Sequence, residues 1–260
     1  MKIKLSLLTI VQLLSTAYGA DPYNVLAFYD GTYDAAHINF VHEAIKWLPE
    51  HSAQNGFTFH STNDWSKMNQ DNLKKYKVVM FLDGVPYGQQ QRQAFQHYIE
   101  QGGGWIGFHV CAYNDKKSDW PWFHETLLGT GTFKSNTWWP TKVTLHNDAQ
   151  NHPAMKGIPQ KFGSSVSEWY AWEHDLRKNP DIEILASIDG SSFPVGTDPN
   201  QSWYSGYYPI IWSNKKHKVI YANFGHNYMD YKKNVGLSST FASADQNKFL
   251  FQALNYLAGR

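Results

Sequence analysis

Gly102-Gly103-Gly104-Trp105-Ile106-Gly107-Phe108-His109-Val110-Cys111 is the stretch on which the fold turns. The glycines stop a helix, and the apolar run from Trp105 to Phe108 reads as a buried strand. The chain then turns sharply at the strand's carboxyl end, where open α/β sheets bind their ligands. His109 stands at that turn. Gly107-x-His109-x-Cys111 thus has the form of a strand-to-turn elbow with histidine at the position a nucleophile would take. The three glycines are not a phosphate cradle, because they precede a strand and a cradle precedes a helix.

The same grammar extends outward. Asn24 to Tyr29 reads as a first strand, followed by the polar loop Asp30-Gly31-Thr32-Tyr33-Asp34. From His37, apolar residues recur at Ile38, Val41, Ile45 and Leu48, which is helix spacing. Phe57 to His60 and Val78 to Leu82 read as strands. Ala94, Phe95, Tyr98 and Ile99 mark a helix that ends at Gly102. Strands alternating with helices predict an α/β fold with a mainly parallel central sheet covered by helices on both faces. Further strands are expected at Lys142–Leu145, Ile184–Ser187, Pro209–Trp212 and Lys218–Phe224, and a last helix at Asp245–Ala258. Asp115 to Pro140 reads as loops with a short helix. There is no repeat and no linker, so residues 20–260 are expected to form one domain.

Residues 1–19 have the pattern of an export signal. Lys2 and Lys4 come first, Leu5 to Leu14 follow as a short apolar core, and Ala17-Tyr18-Gly19 offers small residues for cleavage. The apolar core is too short to span a bilayer. The expected location is therefore periplasmic or extracellular, with no membrane contact once the signal is removed. The 260-residue chain holds one cysteine, Cys111, so no internal disulfide is possible, and a buried inert thiol is its commonest fate. Net charge is +1 with scattered Lys and Arg, which excludes a nucleic-acid footprint. Aromatics reach 16% against 17% charged residues. Many lie in polar segments, at Trp138-Trp139, Trp169-Tyr170-Ala171-Trp172, Trp203-Tyr204 and Tyr207-Tyr208. Such rings suit stacking on a small sugar, and they suit ordinary packing equally.

Four residues share a suggestive placement. His37 opens the first helix, His109 ends the elbow strand, His226 follows the last long strand, and Glu168 lies in the irregular middle. Neutral imidazoles with a carboxylate bind a divalent metal such as zinc and leave a position open. Without metal the same groups serve as general acid and base. Each His taken singly could instead satisfy a loop hydrogen bond. His124 either caps the short helix or faces the site. His146 is a weaker candidate, and His152, before Pro153, reads as a turn residue.

In this order the motifs resemble the ThuA-like, or trehalose-utilisation, family. The resemblance spans about Asn24 to Leu257. It rests on His37, the elbow ending at His109, Asp119-Trp120-Pro121-Trp122-Phe123 with Leu128-Gly129, Asn151-His152-Pro153 with Gly157-Ile158-Pro159, Glu168-Trp169-Tyr170, Pro209-Ile210-Ile211-Trp212 and Phe224-Gly225-His226. It implies a flavodoxin-like, class I glutamine amidotransferase-like three-layer sandwich. His109 replaces that fold's catalytic Cys, so glutamine hydrolysis is not expected. It also implies a link to trehalose and related disaccharides, through oxidised (keto) sugars, and a metal held by histidines in some members. The chain departs from the pattern at Lys134-Ser135-Asn136 after Phe133, where the family often has His-Pro, at Tyr208 in place of a His, and at Ser167 in place of an acid. Asn136, His124 and His146 are the candidates to replace the missing histidines.

The favoured expectation is an exported carbohydrate-active enzyme, of hydrolase, lyase or isomerase type. In it His109, His226, His37 and Glu168 are catalytic, and His109, His226 and His37 hold any metal. Trp120, Trp122, Trp169, Tyr170 and His124 contact the sugar. The competing expectations are a non-catalytic sugar-binding module and a degenerate amidotransferase fold acting as an interaction partner. No motif sets an oligomeric state.

Overall fold

The computed structural model describes residues 21–32, 34–137, 139–192 and 206–260. The export signal expected at residues 1–19 and the aromatics Trp138, Trp203 and Tyr204 lie outside the described residues. The first half runs β1 (Tyr23–Phe28), α1 (Ala35–Ser52), β2 (Phe57–Thr62), α2 (Gln70–Leu73), β3 (Val78–Phe81), α3 (Gln89–Glu100) and β4 (Gly104–Phe108). The second half runs β5 (Phe133–Asn136), β6 (Thr144–Asn147), β7 (Lys161–Gly163), β8 (Tyr170–Trp172), β9 (Ile182–Ile188), β10 (Pro209–Asn214), β11 (Val219–Ala222), β12 (Met229–Asp230), β13 (Val235–Gly236) and α4 (Ala244–Ala258).

Nine strands form one mixed sheet in the order β2-β1-β3-β4-β11-β10-β9-β6-β7. The pairs from β2 through β11 are parallel. From β11 outward through β10, β9, β6 and β7 they are antiparallel. The parallel half is the part that the alternation of strand and helix predicts.

Its inner strands β3 and β11 read as unbroken apolar runs because both faces are covered, while the edge strand β2 alternates with polar residues. Val25, Ala27, Val78, Met80, Ile106, Phe108, Ile220 and Ala222 join one core with Phe40, Val41 and Leu48 of α1 and Phe249, Leu254 and Leu257 of α4. The alternate residues Leu26, Phe28, Val79, Phe81, Trp105, Val219 and Tyr221 join a second core with Phe95 and Ile99 of α3. Gly104 shows how tightly α4 is seated: a Cβ there would lie 2.5 Å from the Leu257 carbonyl oxygen.

The expected boundaries hold to within a few residues. The strand anticipated at Lys142–Leu145 is β6, displaced to Thr144–Asn147, because Val143 gives its N–H to Ser164 Oγ instead of to a strand partner. The short helix anticipated after the elbow is two pieces, a 3₁₀ turn at His109–Ala112 and a π-helical turn at Trp122–Leu127. Two small ladders, β5 with β8 and β12 with β13, add to the rim beyond the carboxyl ends of the parallel strands.

Candidate functional site

Each side chain of the candidate site is delivered by the end of an element. Asp34 caps α1, its carboxylate accepting the N–H groups of Ala36 (2.8 Å) and His37 (3.3 Å). That cap turns His37 inward, and His37 Nδ1 lies 3.4 Å from Asp34 Oδ2. His109 is the first residue past β4 and has φ +38°, a conformation rare outside glycine. Strain of this kind persists only where the surroundings over-determine it. Past β11 the chain crosses Gly225 at φ +122°, where a Cβ would meet the Phe40 ring at 2.9 Å. His226 follows. The next residue is anchored, because Asn227 Nδ2 donates to the Glu43 carboxylate (3.1 Å) and the Thr240 hydroxyl donates to Asn227 Oδ1 (2.7 Å).

The three imidazoles meet, with ring centroids 4.8 Å apart for His37 and His226, 5.1 Å for His37 and His109, and 5.4 Å for His109 and His226. Glu168 Oε2 is 3.6 Å from His109 Nε2 and 3.9 Å from His226 Nε2. Asp34 Oδ2 is also 3.9 Å from His226 Nε2. Asn136 Nδ2 donates to Glu168 Oε1 at 2.6 Å, so of the three candidate replacements Asn136 alone has a recorded bond into the cluster. Asn223 holds the floor. Its oxygen accepts the Tyr170 N–H (2.7 Å), and its amide nitrogen approaches His109 Nδ1 (2.6 Å) and the Glu168 carbonyl (3.3 Å).

Burial sets the electrostatics. Desolvation, with the adjacent His109, pushes the His37 pKa down to about 3, and desolvation with the adjacent His226 holds His109 well below the usual range. His226 is lowered by burial, against the pull of Glu168. Burial raises Glu168, with His226 opposing. Burial would raise Asp34 too, but His37, His226 and the capping N–H groups outweigh it and hold that carboxyl low. The result is three neutral imidazoles beside one firmly ionised carboxylate.

Asp34, His37 and His226 place one donor atom each within 4.8 Å of one another. That set fits a divalent transition metal with positions left open. Asp34 stands in the trio where the sequence reading puts His109, since an N-cap carboxylate reaches the space between two imidazoles. The Asp34 side chain is 48% exposed, while those of His37 and His226 are buried, so it marks the way in.

The residues expected to contact sugar divide. Tyr170 packs on His109 with centroids 4.1 Å apart. Trp169 is enclosed, its indole N–H donating to the Thr141 carbonyl and its ring edge-on to Phe224. Trp120 stacks on Phe123 at 4.6 Å beneath the Arg92 guanidinium, and Trp122 packs near Phe95. Protein therefore covers the faces of Trp120 and Trp169. Among the described residues the most open rings are Tyr87, Tyr113, Trp139 and Tyr231. Burial raises the phenol pKa values of both Tyr113 and Tyr231, helped by the charges of Asp115 and then Glu168 at Tyr113, and of Asp34 and then Glu168 at Tyr231.

His124 sits apart, its Nδ1 taking the Ser118 hydroxyl. His146 faces Asp189, and His152 caps a turn by accepting the Ala154 N–H. Cys111 is buried and its thiol pKa raised by desolvation. Burial lowers the His124 pKa from 6.5 to about 4. The unfolded chain therefore binds the extra proton first, and acid favours unfolding across that window. His124→Gln is expected to flatten the fall of stability between pH 6.5 and about 4 by close to one proton, read from denaturation midpoints against pH.

Two members of the site are absent from the sequence reading, Asp34 and Asn223. Asp34 had a signal, an aspartate at the N-cap three residues before a histidine. Asn223 had none beyond its place after a strand.

The fold, a mixed and mainly parallel sheet flanked by helices, matches class I glutamine amidotransferase-like domains, and histidine stands at its elbow. A solved ThuA-like protein from Bacteroides uniformis is 34% identical, with a TM-score of 0.81 over 94% of each chain. A second ThuA-like protein, from Parabacteroides merdae, is 17% identical with a TM-score of 0.62, over 92% of this chain and 90% of that one, and shares the fold. A β-galactosidase from Bacillus circulans sp. alkalophilus shares it over 90% of this chain and 31% of its own, at 14% identity and a TM-score of 0.51. No curated protein matches the chain. The model of the ThuA family, described as trehalose utilisation, matches residues 24–240, and with the histidine elbow and the rim it forms in place, the chain belongs to that family.

Proposed function

We propose that this protein is an exported enzyme acting on a disaccharide or its keto derivative, with a metal held by Asp34, His37 and His226. The observation that carries the reading is the convergence of three neutral imidazoles and two carboxylates, with the exposed Tyr113 ring near the Tyr170 ring that packs on His109. A zinc-like ion, when bound, supplies Lewis acidity toward a carbonyl or hydroxyl oxygen.

The chain supplies the rest. Glu168, raised by burial, is suited to take a proton from a carbon beside a keto group and return it to a leaving oxygen. Asn136 fixes that carboxylate by holding its other oxygen. Tyr113 and Tyr231 offer flat faces for the sugar's C–H surfaces. The family's trehalose connection supports a disaccharide as the substrate class.

The test is turnover of a panel of disaccharides and their keto derivatives by the metal-supplemented protein. Glu168→Gln is expected to lower the rate about 10²–10⁴-fold, the usual contribution of a positioned acid–base group. No turnover across the panel, with sugar affinity that survives Glu168→Gln, would make the protein a binding module instead.

A further inference from the structure

The hydrogen-bond chain beneath His109 fixes which of its nitrogens carries the proton. The Tyr170 backbone N–H can only donate, so the Asn223 atom it meets at 2.7 Å is the amide oxygen. The other end of that amide is therefore NH₂. It points at the Glu168 carbonyl (3.3 Å) and at His109 Nδ1 (2.6 Å). An amide nitrogen has no lone pair to offer, so Nδ1 must be the acceptor. The ring's proton is then on Nε2. That nitrogen is fully buried and has no hydrogen-bond partner among the described residues, with Glu168 Oε2 beyond bonding range at 3.6 Å.

We propose that Asn223 is a positioning residue that locks His109 as an Nε2–H donor, aimed at a substrate oxygen on which negative charge collects. His109 is then neither a base nor a metal ligand. The lone pair it would need for either task is engaged by Asn223, and its other ring nitrogen carries hydrogen. The donor set of Asp34, His37 and His226 is complete without it. Two neighbours enforce the geometry: the Tyr221 hydroxyl donates to the His109 carbonyl at 2.9 Å, and the Tyr170 ring covers the imidazole face. A preorganised donor of this kind acts as one arm of an oxyanion hole. The role in catalysis rests on the function proposed above; the tautomer does not.

The deciding experiment is a long-range ¹H–¹⁵N spectrum of the metal-free protein labelled at histidine. Loss of one resonance pair in His109→Gln assigns His109. The expected result is a neutral ring with a pyrrole-type Nε2 and a pyridine-type Nδ1. In Asn223→Asp one oxygen still accepts the Tyr170 N–H, and the other replaces NH₂ opposite Nδ1. The expected outcome there is transfer of the proton to Nδ1, a change that a merely structural asparagine would not produce. A pyrrole-type Nδ1 or an imidazolium in the unaltered protein would overturn the proposal, whether or not Asn223→Asp folds. The spectrum needs neither metal nor sugar, so the tautomer and the proposed activity can fail separately.

Discussion

His226→Ala should cost at least about 100-fold in affinity for zinc or cobalt(II), because loss of even an outer-shell partner costs about 10–100-fold. His226 is one of three donors in the trio, and its Nε2 faces both carboxylates at 3.9 Å. Alanine leaves Asp34 and His37 alone, too few ligands for a tight site. Stability should change much less, by about 1 kcal/mol, the centre of the range for single substitutions. The imidazole is neutral and its Nδ1 has no hydrogen-bond partner among the described residues, so little bonding is lost. The check is a metal titration beside a denaturant melt. Undiminished affinity in a folded variant would remove His226 from the ligand set, and with it the metal reading.

The largest effect on stability is expected at Trp105. The ring is fully buried between the sheet and α3, edge-on to Phe81 (5.3 Å), Phe123 (5.5 Å) and Phe95 (5.9 Å). Trp105→Ala opens a cavity at the centre of the second core and should cost about 3–5 kcal/mol. At about 2–4 °C per kcal/mol for a chain of this size, the melting temperature should fall by about 6–20 °C. Trp105→Phe should cost less than about 2 kcal/mol, since it keeps most of the volume and removes an indole N–H that has no bonding partner. Equal losses in the two variants would mean that the indole nitrogen, and not ring volume, holds this layer.

The parallel half of the sheet was legible because a strand covered on both faces leaves nothing but apolar residues, as in Val78–Phe81. The helices were legible because one face of each is buried, which writes the 3.6-residue period into the sequence. The histidines were legible through topology, since His37, His109 and His226 each follow or precede a recognisable element. Which aromatic rings stay open was not. Trp169 and Tyr113 lie in equally polar neighbourhoods, yet one is enclosed and the other open, and that difference is made by residues distant in sequence. Asn223 was illegible for the same reason: its amide meets a ring 114 positions earlier. The β5–β8 ladder is short and breaks register between Phe133 and Ser135, which erases the two-residue period.

The position of β11 bears on how the molecule comes to be folded. It sits between β4 and β10 and pairs Val219–Ala222 with Trp105–Phe108. The centre of the sheet is therefore closed by a strand made long after its partner, and the loop closed is more than a hundred residues long. Pairings so distant in sequence repay their entropy late and slow the search for the native state. Until β11 arrives, β4 has a bare edge, and the elbow histidine lacks the asparagine, tyrosine and second imidazole that surround it. A nascent chain stopped before Val219 has neither a sealed sheet nor a floor to the histidine cluster, and both should appear in the same kinetic step.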